Sequence, residues 1–148
     1  MHDELIHRFR PRGWKVIHTR RKTELLEAAK KAALSGKMRK TAEQAVAVAD
    51  ASTKTIFVPK ISDAASLLAL FHEFGHVHLE HWGRGTSTMH QEEYEAERWA
   101  FHTLRTAGIV IPRWCLVHSR AYIRTCIEAD ERAGKKIHAP ARRYAAAA

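Results

Sequence analysis

The residues that decide the reading run Asp63-Ala64-Ala65-Ser66-Leu67-Leu68-Ala69-Leu70-Phe71-His72-Glu73-Phe74-Gly75-His76-Val77-His78-Leu79-Glu80-His81. Ser62 or Asp63 can cap a helix that opens near Ala64 and continues to about His81, with Gly83 and Gly85 as its stop. Residues four apart share one helix face, so His72 and His76 can turn both imidazoles toward one cation. Glu73 lies ~100° round the helix, beside such an ion and not on it. That placement suits hydrolysis, because a zinc ion draws the pKa of a bound water toward ~7 and a nearby carboxylate takes the proton. Three protein ligands would leave the fourth position of a tetrahedral site open to that water.

A chain with 11 histidines can carry such a pair by chance, so the third ligand decides the matter. A histidine six residues beyond His76 would fall on Trp82, and the glycine that the metzincin pattern needs is replaced by Leu79. The next helix, expected from a Thr88/Gln91 capping box to about Thr106, offers Glu93, Ala96, Glu97 and Ala100 as one stripe. Glu93 can complete the metal shell. Glu97, one turn on, can accept the free ring N–H of a ligand histidine and fix its tautomer. The two alanines allow close approach of the helices. The plainer alternative is a solvated acidic face made by Glu92, Glu93, Glu95 and Glu97. Two imidazoles and one carboxylate favour zinc, though iron, manganese or cobalt fit the same ligands.

His72-Glu73-Phe74-Gly75-His76 followed by Glu93-Tyr94-Glu95-Ala96-Glu97-Arg98-Trp99-Ala100 resembles the ImmA/IrrE metallopeptidases, whose pattern pairs HELGH with a helix reading E-x-x-A-(N/D)-x-F-A. On that match Glu93 corresponds to the third ligand, Glu97 stands for the Asn or Asp, and Trp99 for the Phe. Gly108 to Pro112 loosely resembles the Leu-Leu-Met-Pro-like segment that follows in the family. The resemblance covers about Ala64 to Pro112. It implies a gluzincin-like α+β domain with a helix-turn-helix repressor as the cleaved protein. A weaker resemblance, to the SprT/Spartan proteases that cleave DNA–protein crosslinks, would make His90 the third ligand.

The rest of the chain fits a small α+β zincin-like domain: a short antiparallel sheet packed on the active-site helix, with further helices. Residues 1–40 form a basic N-terminal part, 41–112 the metal-site core, and 113–148 a helical C-terminal part. A helix is expected over Thr23 to Leu34. Two β-like runs, Ala45 to Ala49 and Thr55 to Val58, are joined by a hairpin-type loop. Thr55 to Val58 is expected as an edge strand that pairs with an extended substrate. Pro112 suits the first residue of a helix that covers Cys115 to about Arg132, and Ala139 to Ala148 reads as a last short helix or a frayed tail.

At 148 residues the chain fits one domain that needs no disulfide or structural metal to fold. Its two cysteines match no metal or redox spacing, no apolar run approaches a membrane span, and Met1 to Arg12 lacks a signal-peptide core. These features point to the cytoplasm. The formal net charge of +9 would suit a nucleic-acid partner, but no readout module accompanies it. His78, His81 and His90 read as surface or helix-end residues, while Tyr94, Tyr122 and Arg84 are unranked candidates for transition-state stabilisation. The function that follows is a zinc-dependent endopeptidase acting on a protein or peptide. From another class comes a non-catalytic, metal-bearing regulatory or DNA-binding module.

Overall fold

The computed structural model describes residues 1–20, 23–24, 27–28, 47–83 and 87–147. The expected helix over Thr23–Leu34, apart from those four residues, lies outside the described residues, as do Ala45, Arg84 and Gly85. Helix α1 (His2–Phe9) is followed by strand β1 (Lys15–Thr19). Strands β2 (Val48–Asp50) and β3 (Thr55–Pro59) lead to α2 (Ala64–His78). A 3-10 turn at His81–Gly83 precedes α3 (Met89–Thr106), α4 (Arg113–Arg132) and α5 (Ala139–Ala146). Among the described residues, five α-helices with a three-stranded sheet make this an α+β fold, as expected.

The β2–β3 hairpin turns because the buried Asp50 carboxylate gathers the loop. It accepts the Ser52 N–H at 2.9 Å, the Ser52 hydroxyl at 2.6 Å and the Thr53 hydroxyl at 3.0 Å, the local bonding that makes Asp a turn residue. The sheet is mixed, not antiparallel throughout. β3 pairs antiparallel with β2 (Val48 opposite Phe57) and parallel with β1 (Lys15 opposite Thr55, Thr19 opposite Pro59). β3 is therefore the central strand, and the edge expected at Thr55–Val58 is covered on both sides. The parallel partner comes from about forty residues upstream, a pairing that no local pattern announces.

Helix α2 starts as a capping box: Asp63 Oδ1 accepts the Ser66 N–H at 2.8 Å, and the Asp63 N–H returns to Ser66 Oγ at 3.1 Å. It ends at His78, three residues short of the expected stop. Glu80 takes a left-handed φ of +54° and closes the helix before the glycines are reached. The inner face of α2 (Leu67, Leu70, Phe71, Phe74) packs with Ile56 and Val58 of β3 and with Phe101 and Leu104 of α3. α1 is fastened by Phe9, edge-on to Phe71 and Trp99, and by His78 Nε2, 2.8 Å from the Phe9 carbonyl.

Two terminal details differ from expectation. Thr88 is the N-cap of α3 but its side chain makes no capping bond, its hydroxyl lying 3.3 Å from His90 Nε2, and the Gln91 side chain donates to Glu95 at 3.0 Å. Pro112 is the N-cap of α4 and not its first residue. The last segment is a helix, since Ala141 and Ala145 of α5 pack into a second cluster with Ile123 and Ile127 of α4. Cys115 and Cys126 form no disulfide and are buried in α4. Among the described residues no helix is long and apolar enough to cross a membrane.

Candidate metal centre

The site is built where α2 and α3 touch. An added Cβ on Gly75 would lie 3.0 Å from the Ala96 carbonyl oxygen and 3.1 Å from its Cα. Any larger residue would push the backbones apart. The absence of a side chain at 75 and the single methyl at 96 set the depth at which Glu93 meets the two histidines. Glu92 and Glu93 are only 2% and 3% exposed, which overturns the alternative of a solvated acidic face.

Three side chains converge. Nε2 of His72 lies 3.0 Å from Nε2 of His76 and 3.0 Å from Glu93 Oε2, and Nε2 of His76 lies 3.2 Å from Glu93 Oε1. Ligands of a tetrahedral zinc at ~2.0–2.1 Å stand roughly 3.3 Å apart, so the spacing matches within a few tenths of an ångström. Among the described residues, His72, His76 and Glu93 are the group able to hold an ion.

The outward ring atoms assign the tautomers. Nδ1 of His72 lies 2.8 Å from Glu97 Oε1, and a carboxylate so close favours the tautomer protonated at Nδ1. His81, buried to 1% exposure, presents Nε2 to Glu95 Oε2 at 3.0 Å and Nδ1 to Nδ1 of His76 at 2.7 Å. With the His81 proton given to Glu95, its Nδ1 accepts from His76. The two Nε2 atoms and the Glu93 carboxylate thus face one another at ligand spacing, an arrangement that a cation among them would stabilise.

Glu73, 5% exposed, borders a cleft of about 460 Å³ that begins at His72 and is walled by Val58, Leu68, Trp114 and Tyr122. Tyr122 reaches in from α4. Burial pushes its phenol well above the ordinary tyrosine range, as do the charge of Glu93 and hydrogen bonds to Cys126 and Glu93. Glu97 is held from the far side: the buried Ser119 hydroxyl donates to Glu97 Oε2 at 2.7 Å, and the Tyr144 hydroxyl lies 2.7 Å from Ser119 Oγ.

A family model, Peptidase U49, matches residues 17–108, more than half of the chain. The chain belongs to the Peptidase U49 family. No curated protein and no solved structure gives a significant match. The Peptidase U49 match runs from within β1 to the end of α3, so it contains His72, Glu73, His76, Glu93 and Glu97. It stops before Ser119, Tyr122 and Tyr144, which come from α4 and α5. Membership in a peptidase family makes this chain a hydrolase by class, with protein or peptide as its substrate.

The structure thus brings His72, His76, Glu93 and Glu97 together with Glu73 beside them. Of the three transition-state candidates, Tyr122 lines the cleft, Tyr94 packs against His138 and Tyr144, and Arg84 lies outside the described residues. His90 is engaged elsewhere, with Nδ1 2.7 Å from Asp130 Oδ2 and Nε2 accepting the His138 N–H at 2.9 Å. The reading of His81 and His90 as surface residues is corrected: both are fully buried. Ser119 and Tyr144 were missed, and no spacing in the sequence connects them to the histidine pair.

Proposed function

We propose that the chain is a zinc-dependent endopeptidase with His72, His76 and Glu93 as ligands, Glu73 as general base and acid, and Glu97 fixing the His72 tautomer. The observation that carries this reading is the convergence of the Nε2 atoms of His72 and His76 and the Glu93 carboxylate at ligand spacing, with Glu97 and His81 against the outer ring nitrogens. The likeness of α2 and α3 to the ImmA/IrrE helix pair supports zinc, and makes a helix-turn-helix repressor the first protein to test as substrate. The absence of a membrane-crossing helix among the described residues is compatible with work in the cytoplasm.

A zinc ion held there supplies Lewis acidity, polarising the scissile carbonyl and acidifying water. Glu73 takes the proton from water as its oxygen bonds to the carbonyl carbon. It then returns that proton to the amide nitrogen as the C–N bond breaks, so no net proton is consumed in the step. Tyr122, on the cleft wall beside Glu93, donates its O–H to the carbonyl oxygen as negative charge develops there. The apolar wall of Val58, Leu68 and Trp114 keeps bulk water from the reacting bond.

Glu73→Gln separates the enzyme from a non-catalytic metal-bearing module. Zinc content is expected to stay at the parent level while peptide cleavage falls by roughly 10²–10⁴-fold, the usual loss for a general base. Undiminished cleavage would remove Glu73 from the mechanism. The crosslink-protease alternative loses its specific support, because its third ligand, His90, is bonded to Asp130 and to the His138 backbone.

A further inference from the structure

We propose that Ser119 and Tyr144 are positioning residues of the metal centre, through which the C-terminal helix sets how tightly His72 holds its ion. This rests on the metal reading above and deepens it. Four groups stand in line: the Tyr144 hydroxyl and Ser119 Oγ at 2.7 Å and Ser119 Oγ and Glu97 Oε2 at 2.7 Å are hydrogen-bonded, and Glu97 Oε1 lies in close ion-pair contact with His72 Nδ1 at 2.8 Å. The line crosses from α5 through α4 and α3 to α2.

The direction of every bond follows from valence. Glu97 accepts at both oxygens, so the single Ser119 proton goes to Glu97, and Ser119 Oγ is left to accept from the Tyr144 O–H. All donors point toward the carboxylate, and bonds aligned in this sense strengthen one another in a poorly hydrated interior. The consequence at the far end is mechanical and electronic: a Glu97 carboxylate fixed at both oxygens holds the His72 ring in one orientation and keeps its Nε2 electron-rich. Tyr144 is itself held in place, with the Arg120 and Arg98 guanidinium groups 5.6 and 5.8 Å from its ring centre and Tyr94 edge-on at 5.5 Å. Its hydroxyl stands two hydrogen bonds from Glu97 and does not line the cleft that Glu73 borders.

Because Tyr144 acts only through Ser119, the two hydroxyls must behave as one unit. Zinc affinity measured by competition with a chromophoric chelator tests this. Ser119→Ala is expected to weaken zinc about 10-fold, near the low end of the range for outer partners of a metal ligand, and Tyr144→Phe about 3-fold. The double variant should bind no more weakly than Ser119→Ala alone. A purely structural role for Tyr144 predicts the opposite: parent zinc affinity, with the loss confined to the melting temperature of metal-free protein. Parent affinity in Tyr144→Phe, or losses that multiply in the double variant, would overturn the proposal. If Ser119→Ala fails to fold, Tyr144→Phe decides alone. A parent protein that binds no zinc would overturn the enzyme reading and this proposal together. A parent that binds zinc but fails the Tyr144 test overturns only the proposal.

Discussion

Two clusters of buried histidine in this molecule contain nearly the same groups and are built for opposite ends. At His90, Nδ1 meets Asp130 Oδ2 at 2.7 Å and Nε2 accepts the backbone N–H of His138 at 2.9 Å, so both ring nitrogens are matched by protein. At His72 and His76 the Nδ1 atoms face Glu97 and His81, and the Nε2 atoms converge with each other and with Glu93 at the spacing of metal ligands. A closed cluster ties elements together; His90 joins the start of α3 to the end of α4 and the segment entering α5. An open cluster gathers ligand atoms around one point and gains from a cation. The presence of buried histidine and carboxylate therefore does not define a metal site. What defines it is whether their ligand atoms converge on one point.

The sharpest way to break this contrast is at Glu93. Glu93→Gln should lower zinc affinity by more than 100-fold, beyond the ~10–100-fold range for outer partners. In metal-free protein it should leave the melting temperature unchanged or raise it, because the amide keeps an oxygen for the Tyr122 hydroxyl while the buried negative charge is gone. A fall in metal-free stability would mean that the three groups are held by attraction, as at His90. His90→Ala should do the reverse. It leaves the buried Asp130 without its ring partner and opens a void, a loss of about 2–4 kcal/mol in denaturant unfolding, with zinc stoichiometry at the parent value. His81→Phe should fall between the two. It removes the acceptor of the His76 Nδ1 proton while keeping the bulk, and an outer partner of this kind accounts for roughly 10-fold in zinc affinity.

The same contrast explains what was legible in the sequence. His72, His76, Glu93 and Glu97 could be read because they sit on two helices at i, i+4 spacings, and the Gly75 and Ala96 that let those helices meet belong to the same motifs. The outer partners could not be read. His81 lies beyond the left-handed turn at Glu80 that ends α2, so helical periodicity says nothing of its direction. Ser119 and Tyr144 reach Glu97 only because α4 and α5 pack over it. The fold divides in the same way. The hairpin and the helices were visible locally, whereas the central place of β3 depends on β1, whose pairing is set by tertiary structure. α1 was not anticipated, because its burial comes from Phe9 docking on Phe71 and Trp99.

Acid offers the smallest and most selective perturbation of the closed cluster. Burial alone would raise the Asp130 carboxyl, but hydrogen bonds from the His90 backbone N–H, from Lys135 and from the His90 ring outweigh it and hold the group below its ordinary value. A carboxylate depressed in the folded state contributes stability that is fully present above its unfolded pKa, ~3.9. That stability is lost as pH falls through the folded value. Lys135 is half exposed, so solvent screens its share, and the effect measures the His90 and Lys135 contacts together, the His90 backbone N–H being the largest of them. Denaturant unfolding of metal-free parent and Asp130→Asn should therefore show a stability gap that is constant from pH 7 to 5 and closes below about pH 4. A gap that persists unchanged into strong acid would show that Asp130 holds His90 by shape alone, and the closed cluster would then owe nothing to charge.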